Sequence, residues 1–199
     1  MNEKDVVGIF KRKCEELGGN FEENSEFKLI QVYTCHLSSM EKGKEMIKFI
    51  NNLEMPEDTS YLETEVSIDT GDGESLTFMR TQWRDLDHDD YFIRYRSKAF
   101  SARRLSPVEL KEPEKIVHDK IREKLIYDMI KGKLPKGGSV SVEICPEEDY
   151  GEIIASFIPP KGCSIDPIVD EIVGRAEELS DKIKRSSPEK MGERIFIEL

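Results

Sequence analysis

Three runs of alternating character follow one another in the middle of the chain, at 61–68, 75–84 and 91–98. Only the turn-forming stretches Asp69 to Gly73 and Asp85 to Asp90 separate them. Strands joined this closely must lie antiparallel, because a parallel pair needs a crossover of a dozen residues or more. Asp and Gly supply the backbone conformations of such turns. The spacing predicts an antiparallel meander, and the helical patterns on either side of it make the fold class α+β.

Ahead of the meander, Val6, Ile9, Phe10, Cys14 and Leu17 predict a helix over 5–17, ended by Gly18 and Gly19. The run from Phe27 to Cys35 is apolar on both faces and predicts an interior strand. Ser38 with Glu41 predicts a capping box for a helix carrying Met46, Ile47, Ile50 and Leu53, stopped by Pro56. Behind the meander, Ile116, Val117, Ile121, Leu125 and Met129 mark a long amphipathic helix. Val140, Val142 and Ile144 alternate in a strand, 146–151 reads as a hairpin loop, and Ile153 to Ile158 as an interior strand. Asp166 as cap and Pro167 at the first position open a helix over 166–184, and 194–199 predicts a closing strand.

From residue 91 the element order is strand, helix, strand, strand, helix, strand, the ferredoxin-like order. The expectation is a mostly antiparallel sheet, or two, with helices on one face. It divides either into an N-terminal αβαββ lobe over 1–90 and a ferredoxin-like lobe over 91–199, or not at all, with 91–98 pairing with 75–84 in one continuous domain.

Composition narrows the function classes. Charged residues make up 36% of the 199, and the formal net charge is −11. Such a chain repels nucleic acid and anionic membranes unless its cations cluster. Glutamine occurs only at Gln31 and Gln82 while lysine and glutamate abound, a thermophilic leaning. No apolar run approaches a membrane span and the N-terminus lacks a signal-peptide core, so the cytoplasm is the expected compartment. Cys14, Cys35, Cys145 and Cys163 form no CxxC and share no ligand spacing with His36, His88 or His118; they are expected as buried, reduced thiols.

The segment 78–104 concentrates aromatic and basic residues. Were its strands to pair with faces aligned, Arg80, Arg84, Arg94, Arg96 and Lys98 would line one sheet surface, where guanidinium forks match phosphate oxygens. Glu63 and Glu65 share a face on the preceding strand, as candidate divalent-metal ligands or as cross-strand partners of those cations. The turn Asp85 to Asp90 is rich in metal-ligand types, though Asp is also the ordinary turn residue. The RNA-recognition form of the ferredoxin-like fold needs aromatics on its third strand; here Phe157 stands alone. An EF-hand loop over Asp69 to Arg80 fails because Gly71 and Gly73 stand where oxygen ligands belong. The loop from Gly132 to Gly138 follows a helix and opens a strand, the reverse of a phosphate-cradling loop.

Asp69-Thr70-Gly71, entered from an apolar strand, resembles the catalytic loop of aspartic proteases. The resemblance implies a second Asp sharing a proton, but the chain has no second copy, Asp72 replaces the usual small residue, and the helical content departs from an all-β protease. With no catalytic pattern in local context, the chain reads as a non-catalytic cytoplasmic binding or assembly protein working through protein–protein contacts. Its expected partner is a basic or neutral protein or a second copy, with no membrane and no cofactor. The alternatives are a protein binding a nucleotide or polyphosphate, a metal-dependent phosphohydrolase, and a single-strand nucleic-acid binder.

Overall fold

The computed structural model describes residues 1–26, 30–105, 112–134, 136 and 138–185. The elements run α1 (Glu3–Glu16), β1 (Asn20–Glu26), β2 (Ile30–Leu37), α2 (Met40–Asn51), β3 (Tyr61–Asp69), β4 (Ser75–Trp83), β5 (Asp89–Ser97), α3 (Ala102–Leu105), α4 (Glu112–Lys131), β6 (Ser139–Pro146), β7 (Gly151–Ile158), α5 (Asp166–Val169) and α6 (Ala176–Arg185). The strands form one seven-stranded sheet in the order β1-β2-β3-β4-β5-β7-β6. Every neighbouring pair is antiparallel except β2 and β3, which are parallel across the α2 crossover.

The expected meander is β3-β4-β5, and the sheet continues across residue 90 because β4 pairs with β5. β5, α4 and β6 form a split unit with β7 between the two strands. The flank of β5 where a ferredoxin-like unit would place its last strand is occupied by β4, and the strand expected at 194–199 lies outside the described residues.

One face of the sheet is the floor of the core. Leu62, Val66 and Ile68 of β3, Leu76 and Phe78 of β4, Ile93 and Tyr95 of β5, and Ile153, Ala155 and Phe157 of β7 are buried there against α1, α2, α4 and the α5–α6 segment. The alternate residues are half-buried or exposed on the other face, as in a two-layer antiparallel sheet. Gly43 lets α2 approach β3: a β-carbon there would overlap the Ile68 side chain.

Several local expectations shift. β1 (NFEENSE) carries no apolar alternation and gains its strand conformation from backbone pairing with β2. α1 opens on a capping box between Asn2 and Asp5. α2 is capped by Ser39, whose hydroxyl accepts from the Lys42 N–H, one residue beyond the expected Ser38. α4 buries Arg122, Ile126 and Ile130, with Leu125 and Met129 at the flanks of that stripe. The helix expected over 166–184 is interrupted: Ile165, not Asp166, is the N-cap, and a π turn at Asp170–Gly174 precedes Arg175, which leaves helical geometry. That turn directs Glu171 inward, where Arg175, Lys133 and Lys182 meet it at 3.1, 3.7 and 3.7 Å.

The cysteines correct the expectation of four reduced thiols. Cys14 of α1 and Cys35 of β2 face each other in the core and are joined as a disulfide, while Cys145 and Cys163 are free. Closing a loop with a sequence separation of 21 restricts the unfolded chain. Replacing both Cys14 and Cys35 with alanine is expected to lower unfolding free energy by about 3 kcal/mol, read from the guanidinium midpoint at unchanged slope.

Tyrosines anchor the core rim. Burial, then hydrogen bonds to Glu3, Glu63 and Glu74, push the hydroxyls of Tyr33, Tyr61 and Tyr95 above the ordinary value of 10, and burial does the same to Tyr91. Unfolded tyrosines lose their protons near pH 10 while these keep theirs, so their contribution is intact below that pH and is lost as pH rises from there toward the raised folded values. At about pH 11 the native protein should show less phenolate absorbance than the unfolded chain, with its melting point falling across the same interval.

Candidate functional site

The β4–β5 register decides what the cations can do. Arg80 stands opposite Tyr91, Thr77 opposite Arg94, and Ser75 opposite Arg96. Opposed residues share a face, so Arg80 points into the helix-covered side while Arg94 and Arg96 stand on the open side. The row of five cations expected on one surface does not form.

Arg80 is 7% exposed, and four of its N–H directions are occupied. Nε and Nη2 donate to Asp89 Oδ2 at 3.0 and 2.6 Å, and Nη1 donates to the carbonyls of Leu53, at 3.0 Å, and Ile50. The guanidinium thus closes the C-terminal end of α2, where carbonyls lack intrahelical donors, and its charge meets the negative end of the helix dipole. It also lies 5.9 Å from the Tyr91 ring centre. Arg84 ties down the loop ahead of β3 by donating to Thr59 O at 2.8 Å and to Pro56 O. These two arginines organise backbone.

At the opposite end of β5, Arg96 and Lys98 lie 5.3 and 5.5 Å from the Tyr150 ring, and Arg96 donates to Glu147 at 3.2 Å. Tyr150 donates to Asp72 O at 2.8 Å across the β3–β4 turn, where Gly73, with φ +92°, leaves room for its ring. A groove of about 390 Å³ beside Lys98 and Arg175 is lined by four carboxylates, from Asp72, Glu74, Glu177 and Glu178. Arg94 is exposed on the open face.

The other candidate residues stay apart. Glu63 and Glu65 lie opposite Thr81 and Met79 on the open face, and Glu63 accepts from the Tyr61 hydroxyl. Among the described residues no group of three His, Cys, Asp or Glu side chains is placed to hold a metal ion. In the Asp85 to Asp90 turn, Asp89 is committed to Arg80, Asp90 accepts from Trp83 Nε1 at 3.3 Å, and His88 contacts Asp87 at 3.2 Å. Asp69 accepts from the Gly71 N–H at 2.9 Å within the β3–β4 hairpin turn.

A different arrangement stands out at the Arg80 end of the sheet. A cleft of about 630 Å³ runs between the C-terminal end of α2, the β4–β5 turn and the loop of Lys161 to Ser164. Trp83 and Leu86, at its rim, are 40% and 42% exposed. Gln82 and Asn51 in its wall donate amide N–H to Leu53 O and Asp166 Oδ1, both at 3.3 Å, and these contacts fix which way each carboxamide faces. Among the described residues their oxygens meet no donor. In the sequence Trp83 is one aromatic among several in the segment 78–104, and Leu86, a lone apolar residue between aspartates, is the one local signal of the rim. Nothing in the sequence brought Asn51 and Gln82 together.

No family model matches the chain, and neither a curated protein nor a solved structure matches it.

Since removing one partner of a buried ion pair strands the other, Arg80→Ala should cost about 3–5 kcal/mol, whereas Arg94→Ala on the open face should stay within about 0.5 kcal/mol. Chemical denaturation of the two variants beside the parent protein checks both.

Proposed function

We propose that the protein is a non-catalytic binding or assembly protein that takes a partner protein at the cleft beside Trp83. The observation that carries this reading is the pairing of Trp83 and Leu86, two large apolar side chains held in solvent at the rim of the largest of the clefts described. Aromatic side chains beside a pocket are the usual anchors of protein contacts. Of the cations lining the cleft, Arg80 and Arg84 are engaged by Asp89 and by backbone carbonyls and have little capacity left for phosphate, while Lys161 stands exposed on the facing loop. The charge of −11 favours a partner segment that is basic around an apolar anchor.

A second reading, binding of a phosphorylated ligand, is favoured by the convergence of Arg96 and Lys98 on Tyr150, although the carboxylates of the neighbouring groove oppose an anion. A cytoplasmic setting accords with the composition, and no helix among the described residues is long and apolar enough to cross a membrane. The Cys14–Cys35 disulfide joins that setting to the thermophilic leaning, because intracellular disulfides are a feature of hyperthermophiles and are rare in mesophilic cytosol.

Trp83 is the chain's single tryptophan, so its emission reports on this cleft alone. Titration with basic peptides carrying a leucine or phenylalanine should give a saturable change, and Leu86→Ala should weaken it by about tenfold. Calorimetric binding of tripolyphosphate with no response to any peptide replaces this reading by the second, and silence toward both overturns the two together.

A further inference from the structure

Among the described residues the sheet ends at β1 on one side and β6 on the other, and these two edge strands differ in chemistry. β1 carries Glu22, Glu23 and Glu26 along seven residues, a charged edge of the kind that discourages pairing with another chain. β6 (SVSVEICP) carries one charge, Glu143, and its single proline is its last residue. Among the described residues β6 pairs with β7 alone. Burial also falls off toward β6. Ile153, Ala155 and Phe157 of β7 are buried; beside them on the same face of β6 Ile144 is buried too, while Val140 and Val142 remain partly exposed. A further strand beyond β6 would complete that cover.

We propose that the occupant of this edge is a second copy of the chain, paired antiparallel strand to strand through β6 about a two-fold axis. In an antiparallel ladder, facing residues must both turn their N–H and C=O groups outward or both inward. Because those directions alternate along a strand, the axis passes through a residue rather than between two. Centred on Glu143 it opposes two like charges, which is destabilising. An axis at Ser141 leaves Ile144 without a partner. With the axis at Val142, seven residues overlap and the pairs are self-complementary. Val142 meets its own copy, Val140 meets Ile144 on the core side, and on the open side Ser141 meets Glu143 and Ser139 meets Cys145. The last four side chains on that list are exposed in the single chain, as a contact on the open face requires. The net charge of −11 opposes association of two copies anywhere, and β6 is the edge where the repulsion is least. β6 contributes nothing to the cleft beside Trp83, so this inference stands apart from the peptide-binding reading.

The test is molar mass by sedimentation and light scattering on the full chain, up to about 1 mM. The parent is expected to associate to a dimer. Ser141→Asp places a like charge against Glu143 twice per dimer, and Ser141→Lys places an opposite one. The dissociation constant should rise several-fold to about tenfold for the first and fall by a similar factor for the second. Ser141 is exposed, so neither variant disturbs the core, and unchanged melting curves confirm this. In a Cys163→Ser background, Ser139→Cys should yield a covalent dimer on mild oxidation, with peptide mapping placing the new bridge between position 139 of one copy and Cys145 of the other. A monomer across the whole concentration range, a dimer indifferent to both substitutions at 141, or a bridge that maps elsewhere overturns the proposal.

Discussion

A guanidinium closed inside the protein orders much of what surrounds it. Arg80 occupies a core position on β4, yet its charge is met by Asp89 from the next strand and by carbonyls at the C-terminal end of α2. That one group therefore sets the distance between a helix and the strand pair beneath it, and with Arg84 it shapes the cleft wall. The energetic logic is that of a buried charge that is tolerable only when the directions around it are filled. Four of the five N–H directions of the guanidinium are filled, which leaves the charge little capacity for any further contact.

The meander, the α1 and α2 helices and the β6–β7 hairpin were legible in the sequence because short connections and clean periodicity leave little choice. β1 was not, since three glutamates in seven residues satisfy no strand pattern, and only pairing with β2 makes the segment extended. The break in the last helix was likewise hidden: Ile168, Ile172, Leu179 and Ile183 keep a helical stripe through a π turn, and the Glu171 that the turn directs inward is met in part by Lys133, from the loop after α4. The disulfide was invisible for the same cause, as no spacing in the sequence announces that α1 will lie against β2.

The candidate site shows how much register matters. All five basic residues of the middle segment are visible in the sequence, and their grouping depends on a single unknown, which residue of β4 faces which residue of β5. The observed pairing of Arg80 with Tyr91 sends them to two faces and two ends of the sheet. Trp83 acquires meaning only in that arrangement, where the end of β4 overhangs the cleft opened by the α2 terminus.

The covalent link between Cys14 and Cys35 encloses the whole of β1 within its loop. Tension applied at the N-terminus would pass through the sulfur bridge from α1 into β2 and leave β1 off the load path. The strand with the weakest composition is thus shielded from mechanical peeling, and α1 cannot be exchanged between two copies of the chain without breaking a bond.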